Sequence, residues 1–170
     1  MRASTQIIRE IQINLSPEQV WAKLADFGNI CHGHPSVKKS FVTSAQKSGV
    51  GATRHCDFTM MGASAEERVV EWTEGQSITI EVYELRKMPG IDKLSLQLSI
   101  QPHARGSMLR GTMVYTMKNV LFDLFNTLAM KKMNANLLDG IMAGHKKYME
   151  TGVIVDEKTP LDLGQVLKVT

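Results

Sequence analysis

An α+β fold, in which a curved seven-stranded antiparallel sheet wraps around one long C-terminal helix, is predicted by three features of this sequence. Six strand-like runs follow one another between residues 36 and 118 with short gaps, and short gaps between consecutive strands mean hairpins. The stretch from Val120 to Glu150 contains no proline and keeps helical spacing. After the first strand the pattern switches to a capped helix and then to a second short helical piece. Two such pieces would plug one open end of a curled sheet.

Taken in order, "QIIREIQINL" (6–15) sets Ile7, Ile11, Ile13 and Leu15 on one face against Glu10, Gln12 and Asn14, with Arg9 interrupting the apolar side. Ser16 offers an N-cap hydroxyl, Pro17 suits the first helical position, and Gln19 can complete a capping box. Val20, Trp21, Leu24 and Phe27 then mark an amphipathic helix over 17–27, ending near Gly28. Asn29 to His34 has room for one more turn before Pro35. Strands are expected at 36–45, 51–60, 64–73, 77–86, 91–102 and 107–118, punctuated by Ser48-Gly49, Met61-Gly62 and Glu74-Gly75. In the long helix, Phe122, Phe125, Ala129, Met133, Leu137, Ile141 and Tyr148 approximate one stripe, with Met130 and Asn134 beside it. Gly140 and Gly144 weaken that helix, and Gly152 is a C-terminal stop. The chain therefore divides into a domain at 1–152 and a tail at 153–170.

Composition narrows the function. At 170 residues and 43% hydrophobic content the chain can build its own core. Twenty basic against seventeen acidic residues give +3, a balance that does not point to nucleic acid. No apolar run is long enough to span a bilayer, and the N-terminus lacks a signal peptide's apolar centre. Cys31 and Cys56, outside any CxxC motif, read as reduced thiols in a cytoplasmic protein. Eleven methionines are the unusual count, because thioethers suit walls that accept varied apolar shapes as well as ordinary core gaps.

The phrases "SPEQVWAKLADFGNICHGHPSV", "SGVGATRHCDF", "AEERVVEW" and "LFDLFNTLAMKKMNANLLDGIMAGHKKYMET", in this element order, resemble the SRPBCC or START-like superfamily of helix-grip proteins. The likeness, to the polyketide cyclase/dehydrase and lipid transport type, covers about residues 6–152. It implies a large apolar cavity between sheet and long helix. By likeness to plant hormone receptors of that superfamily, Lys39 stands where a lysine meets a ligand acid group. Glu67 stands where a glutamate reaches ligand through water, and Asn134 near a pocket-facing asparagine. Those receptors' gate loop is not matched by "MMGASA" (60–65), so a hormone-receptor function does not carry over.

Residue chemistry adds candidates. Strict alternation points Arg54, Cys56, Phe58 and Met60 inward together, and Arg54 and Glu67 on neighbouring strands could pair. Cys56 beside Arg54 is either an activated thiol or a small wall residue. One lysine of the Lys38-Lys39 doublet should face inward, to meet a ligand or to snorkel out. Tyr83 and Tyr115 are expected on cavity-facing strands, as packing residues or as acid–base groups. Met60, Met113, Met117, Met130 and Met133, with Leu96 and Leu98, fall on segments that should line the same space. His32 and His34 form an HxH pair that needs a third ligand to hold metal; a histidine packing the entrance is the alternative.

The sequence thus predicts binding of a small hydrophobic ligand (lipid, polyketide or isoprenoid-like) without a cofactor or metal. A cyclase or aromatase-like enzyme using Tyr, Arg and Glu is a second reading. The third is an interaction module whose tail, "TPLDLGQVLKV", docks a partner or a second copy of the chain to make a homodimer.

Overall fold

The computed structural model describes residues 4–60, 62–88 and 90–169, so Met61 of the Met61-Gly62 turn lies outside the described residues. Eight strands form one antiparallel sheet. They are β1 (Thr5–Ile13), β2 (Val37–Val42), β3 (Thr53–Phe58), β4 (Ser64–Thr73), β5 (Ser77–Arg86), β6 (Ile91–His103), β7 (Gly106–Met117) and β8 (Leu167–Val169), in spatial order β2-β3-β4-β5-β6-β7-β1-β8. The meander from β2 to β7 and its return to β1 follow the expected hairpins. The eighth strand exceeds the expected seven: the tail crosses back and pairs Ile8, Arg9 and Glu10 of β1 with Val169, Lys168 and Leu167. On the way the Val155 N–H donates to the His32 carbonyl, and Val155 and Val166 are buried.

Helix α1 (Pro17–Ala25) starts with the capping box read from the sequence, Ser16 and Gln19 each bonding the other's backbone N–H. Its Trp21 meets Trp72 of β4 edge to face at 5.0 Å, and both indole N–H groups donate to Glu74. A 3-10 turn (Ile30–Gly33) follows. The C-terminal helix runs as α2 (Val120–Phe125), a π turn (Asn126–Met130) and α3 (Lys131–Thr151), closed by Gly152 at φ 74°. The widened turn adds a residue to the helical phase, and of the stripe counted from Phe122 Ile141 stays buried while Leu137 and Tyr148 are partly exposed. Phe125 and Met133 are about half exposed, whereas Met130, Asn134, Leu138, Met142, His145 and Met149 are buried.

Two halves of the interior differ. Against β1, β6, β7 and α1 the packing is solid, through Ile11, Ile13, Val20, Leu24, Leu98, Leu109, Leu138 and Met142. At Gly111 of β7 a Cβ would lie 2.6 Å from Met142 Sδ, so a larger residue there would make the Met142 side chain shift. Arg9, the interruption in β1, forms a buried ion pair with Asp139 of α3. Gly144 of α3 sits against the 3-10 turn, where a Cβ would be 2.2 Å from the Gly33 carbonyl oxygen. That contact seats the turn on the helix and sets one end of the second half of the interior, which is hollow.

Candidate functional site: an apolar cavity under the helix

Between β3–β7 and the C-terminal helix lies a cavity of about 520 Å³. Its walls are Ile80 and Val82 of β5, Leu94, Leu96 and Leu98 of β6, Met113 of β7, and Met130, Leu137 and Ile141 of the helix. Met60, Phe125 and Met133 line it yet are about half exposed, so they form its mouth together with Lys87, Met88 and Phe122. Part of the lining is polar. There the segment following the 3-10 turn, β3, β4 and the last turns of α3 contribute His34, Ser36, Arg54, Glu67 and His145.

Arg54 is spent locally. Its Nε and Nη2 donate to Glu67 Oε2 at 2.8 and 2.5 Å, its Nη1 donates to the Phe27 carbonyl at 2.8 Å, and its Cζ lies 4.5 Å from the Phe27 ring centre. The pair is more than nine-tenths buried, and satisfied bonds on every side are what make such a pair tolerable. His34 and His145 are both held neutral. Burial pushes His34 down to about 3, aided by His145 and Arg54 nearby. Burial likewise lowers His145 to about 4, although its bond to the Ile141 carbonyl works the other way and Arg54 adds to the fall.

Tautomers follow from the partners. His145 Nδ1 lies 2.8 Å from the Ile141 carbonyl; a carbonyl only accepts, so Nδ1 carries the proton and Nε2 is a bare acceptor. His34 Nδ1 accepts from the Ser36 backbone N–H at 3.2 Å, so its proton sits on Nε2. Among the described residues three buried side-chain atoms lack a hydrogen-bond partner, Thr116 Oγ1, Asn134 Nδ2 and His145 Nε2; of the three residues, Asn134 and His145 line the cavity.

The sequence-predicted residues divide by placement. Arg54, Phe58, Met60, Glu67, Leu96, Leu98, Met113, Met130, Met133 and Asn134 line the cavity. Lys39, Cys56, Tyr83, Tyr115 and Met117 do not, each for a local reason. A register shift between Val37 and Lys39 breaks the alternation of β2, leaving both Lys38 and Lys39 exposed, and Lys39 lies over the Phe41 ring. In β5 the inward positions are Ile80 and Val82, so Tyr83 takes the other side, under Arg68. The Tyr115 hydroxyl donates to Asn126 Oδ1 at 2.7 Å, and Asn126 Nδ2 donates to Thr5; it pins the π turn to β1 and β7. Met117 is buried beside Gly90. The acid–base set expected of a cyclase thereby loses both tyrosine hydroxyls from the cavity wall.

Cys56 is fully buried, its thiol 3.5 Å from the Ser40 hydroxyl, and burial with the Glu67 charge pushes it up to about 12 against the opposing pull of Arg54. It is a wall-backing thiol, not an activated one. The HxH pair separates: His32 packs edge to face on Tyr148, whereas His34 lines the cavity. The residue that the sequence reading passes over is His145. Its signal is available there, a polar residue eleven positions after Asn134 on the same helical face.

This geometry has known counterparts. Residues 4–150 match the family of polyketide cyclase / dehydrase and lipid transport proteins. The chain belongs to that family. Among solved structures similar to this member of the polyketide cyclase / dehydrase and lipid transport family is ginseng major latex-like protein 151 from Panax ginseng, at TM-score 0.68 and 12% identity over 86% of this chain and 97% of the other. Truncated norcoclaurine synthase from Thalictrum flavum is similar at TM-score 0.69 and 13% identity, over 88% and 96%. A protein from Thermus thermophilus is similar at TM-score 0.67 and 15% identity, over 86% and 97%. No curated protein matches the sequence. At these identities the likeness concerns the fold, whose α+β helix-grip architecture this family member shares. Among its described residues no helix is long and apolar enough to cross a membrane.

Proposed function

We propose that this protein binds a small hydrophobic molecule, of lipid, polyketide or isoprenoid-like character, in the cavity between its sheet and C-terminal helix. The observation that carries the reading is the hollow itself. A chain with abundant Leu, Ile and Met leaves about 520 Å³ unfilled under the helix, within the roughly 300–1,000 Å³ of small-molecule sites. Empty apolar space costs stability, so a guest that fills it accounts for its persistence. Thioethers at Met60, Met113, Met130 and Met133 give the wall a shape that adapts to a flexible guest. A cytoplasmic location accords with Cys31 and Cys56, both free thiols.

The test is native mass spectrometry of protein purified from its own host, paired with titration of an environment-sensitive apolar dye. A co-purifying small molecule is expected, displaced by the dye in wild type. Leu96→Trp, which puts an indole into the cavity, should abolish dye binding while the protein stays folded by circular dichroism. Dye binding that survives Leu96→Trp unchanged would place the guest elsewhere and end the proposal.

A further inference from the structure

We propose that the guest is a neutral, elongated amphiphile carrying a hydroxyl beside His145 and His34 and a hydrogen-bond acceptor beside Asn134. This rests on the ligand-binding reading above and adds the chemistry of the ligand. Two buried atoms demand it. His145 Nε2 is an acceptor without a donor, and Asn134 Nδ2 is a donor without an acceptor; the residues are 3% and 6% exposed, and both line one cavity. Buried polar atoms in native proteins are nearly always partnered, and leaving one unmet is costly. The missing partners are therefore assigned to the guest.

In the polar part of the lining the protein offers the Nε2 lone pair of His145 and the Nε2–H of neutral His34. A hydroxyl, which donates once and accepts as well, answers both. A carboxylate has no proton to give His145. It also finds no spare cation there, because Arg54 is bonded to Glu67 and to the Phe27 carbonyl, and burial holds both imidazoles uncharged.

Asn134 and His145 are eleven residues apart in α3, which is about 16 Å along the axis and nearly the same face. Leu137 and Ile141 lie between them and line the cavity. The wall thus alternates donor, apolar stretch, acceptor. An ester, ketone or ether oxygen beside Asn134 and a hydroxyl at the far end of an aliphatic or isoprenoid chain complete it.

The test uses methyl esters of straight-chain acids in a series of lengths, each made with hydrogen, hydroxyl or carboxylate at the far terminus, titrated into the intact protein by calorimetry. At the best length the hydroxyl ester is expected to bind at least about tenfold more tightly than the other two. His145→Phe should erase the advantage of hydroxyl over hydrogen, and Asn134→Leu should erase the advantage of an ester over the corresponding alkanol. Equal binding of the hydroxyl and hydrogen esters to wild type, or tighter binding of the carboxylate, overturns the head-group assignment while leaving a hydrophobic guest in place. If neither the esters nor the apolar dye bind wild type, the ligand-binding reading itself has failed. The wild-type series decides the matter even if a variant does not fold.

Discussion

Acidification should destabilise this protein before most carboxylates titrate, through the two imidazoles that line the cavity. His34 and His145 are held down to about 3 and about 4 chiefly by burial, against about 6.5 for a histidine in an unfolded chain. The unfolded state therefore binds two more protons than the folded one as the pH drops below 6.5. With folded values depressed, the stability is fully present above 6.5 and drains away as the pH falls toward 4 and 3. At pH 5 each histidine has cost about 2 kcal/mol, one and a half pH units of linkage, so the pair costs about 4 kcal/mol. That is a large part of the 5–15 kcal/mol typical of a domain. His55 works the other way, since its bond to Glu66, assisted by Asp57, raises it despite some desolvation. A folded state that holds this proton more tightly gains at low pH and loses the gain as pH rises. The experiment is therefore run in a His55→Gln background. Urea unfolding at pH 7.5, 6.5, 5.5 and 5.0 should show a loss of about 4 kcal/mol, and His34→Gln/His145→Gln should flatten the profile. A profile that is already flat, or one that keeps its slope in the double variant, would show that these imidazoles are not buried neutral.

Three further outcomes are expected. Gly144→Ala, ordinarily worth up to about 1 kcal/mol of stabilisation in a helix, should instead destabilise by about 1–3 kcal/mol, because its Cβ would meet the Gly33 carbonyl oxygen at 2.2 Å. A raised Tm would refute that contact. Glu67→Gln should cost about 3–5 kcal/mol by stranding the buried Arg54 charge, whereas Arg54→Met/Glu67→Leu should cost clearly less. Double-mutant denaturation curves check this, and strictly additive losses would contradict it. Truncation after Gly152 removes β8 from β1 and uncovers the partners of buried Val155 and Val166. At about 1.5–3 kcal/mol per buried valine, the loss should be at least about 3 kcal/mol, and an unchanged Tm would mean that the tail does not pack on the domain.

Much of the fold could be read locally. The capping box at Ser16 and Gln19 needs only a four-residue window, and β4 and β5 fall on the expected 64–73 and 77–86, because alternation and turn glycines are short-range signals. The site was legible wherever that alternation persisted, as at Arg54, Leu96, Leu98 and Met113. It failed at Lys39, where a register shift breaks the alternation of β2, and at Tyr83, which is out of phase with the inward Ile80 and Val82 of its own strand. Beyond the π turn the helical phase changes, and Met133 lines the cavity only as a half-exposed mouth residue.

By itself, then, the sequence determined the order of elements, the antiparallel meander and the supply of apolar side chains, since each depends on neighbours within a turn or a hairpin. Only the tertiary structure decided that those side chains leave a hollow, and that both His145 and His34 line it. It also decided that the tail closes on β1. Those outcomes depend on how closely α3 can approach the sheet, which is set by distant pairs such as Gly144 against Gly33 and Gly111 against Met142. No local pattern encodes a distance between residues so far apart in the chain.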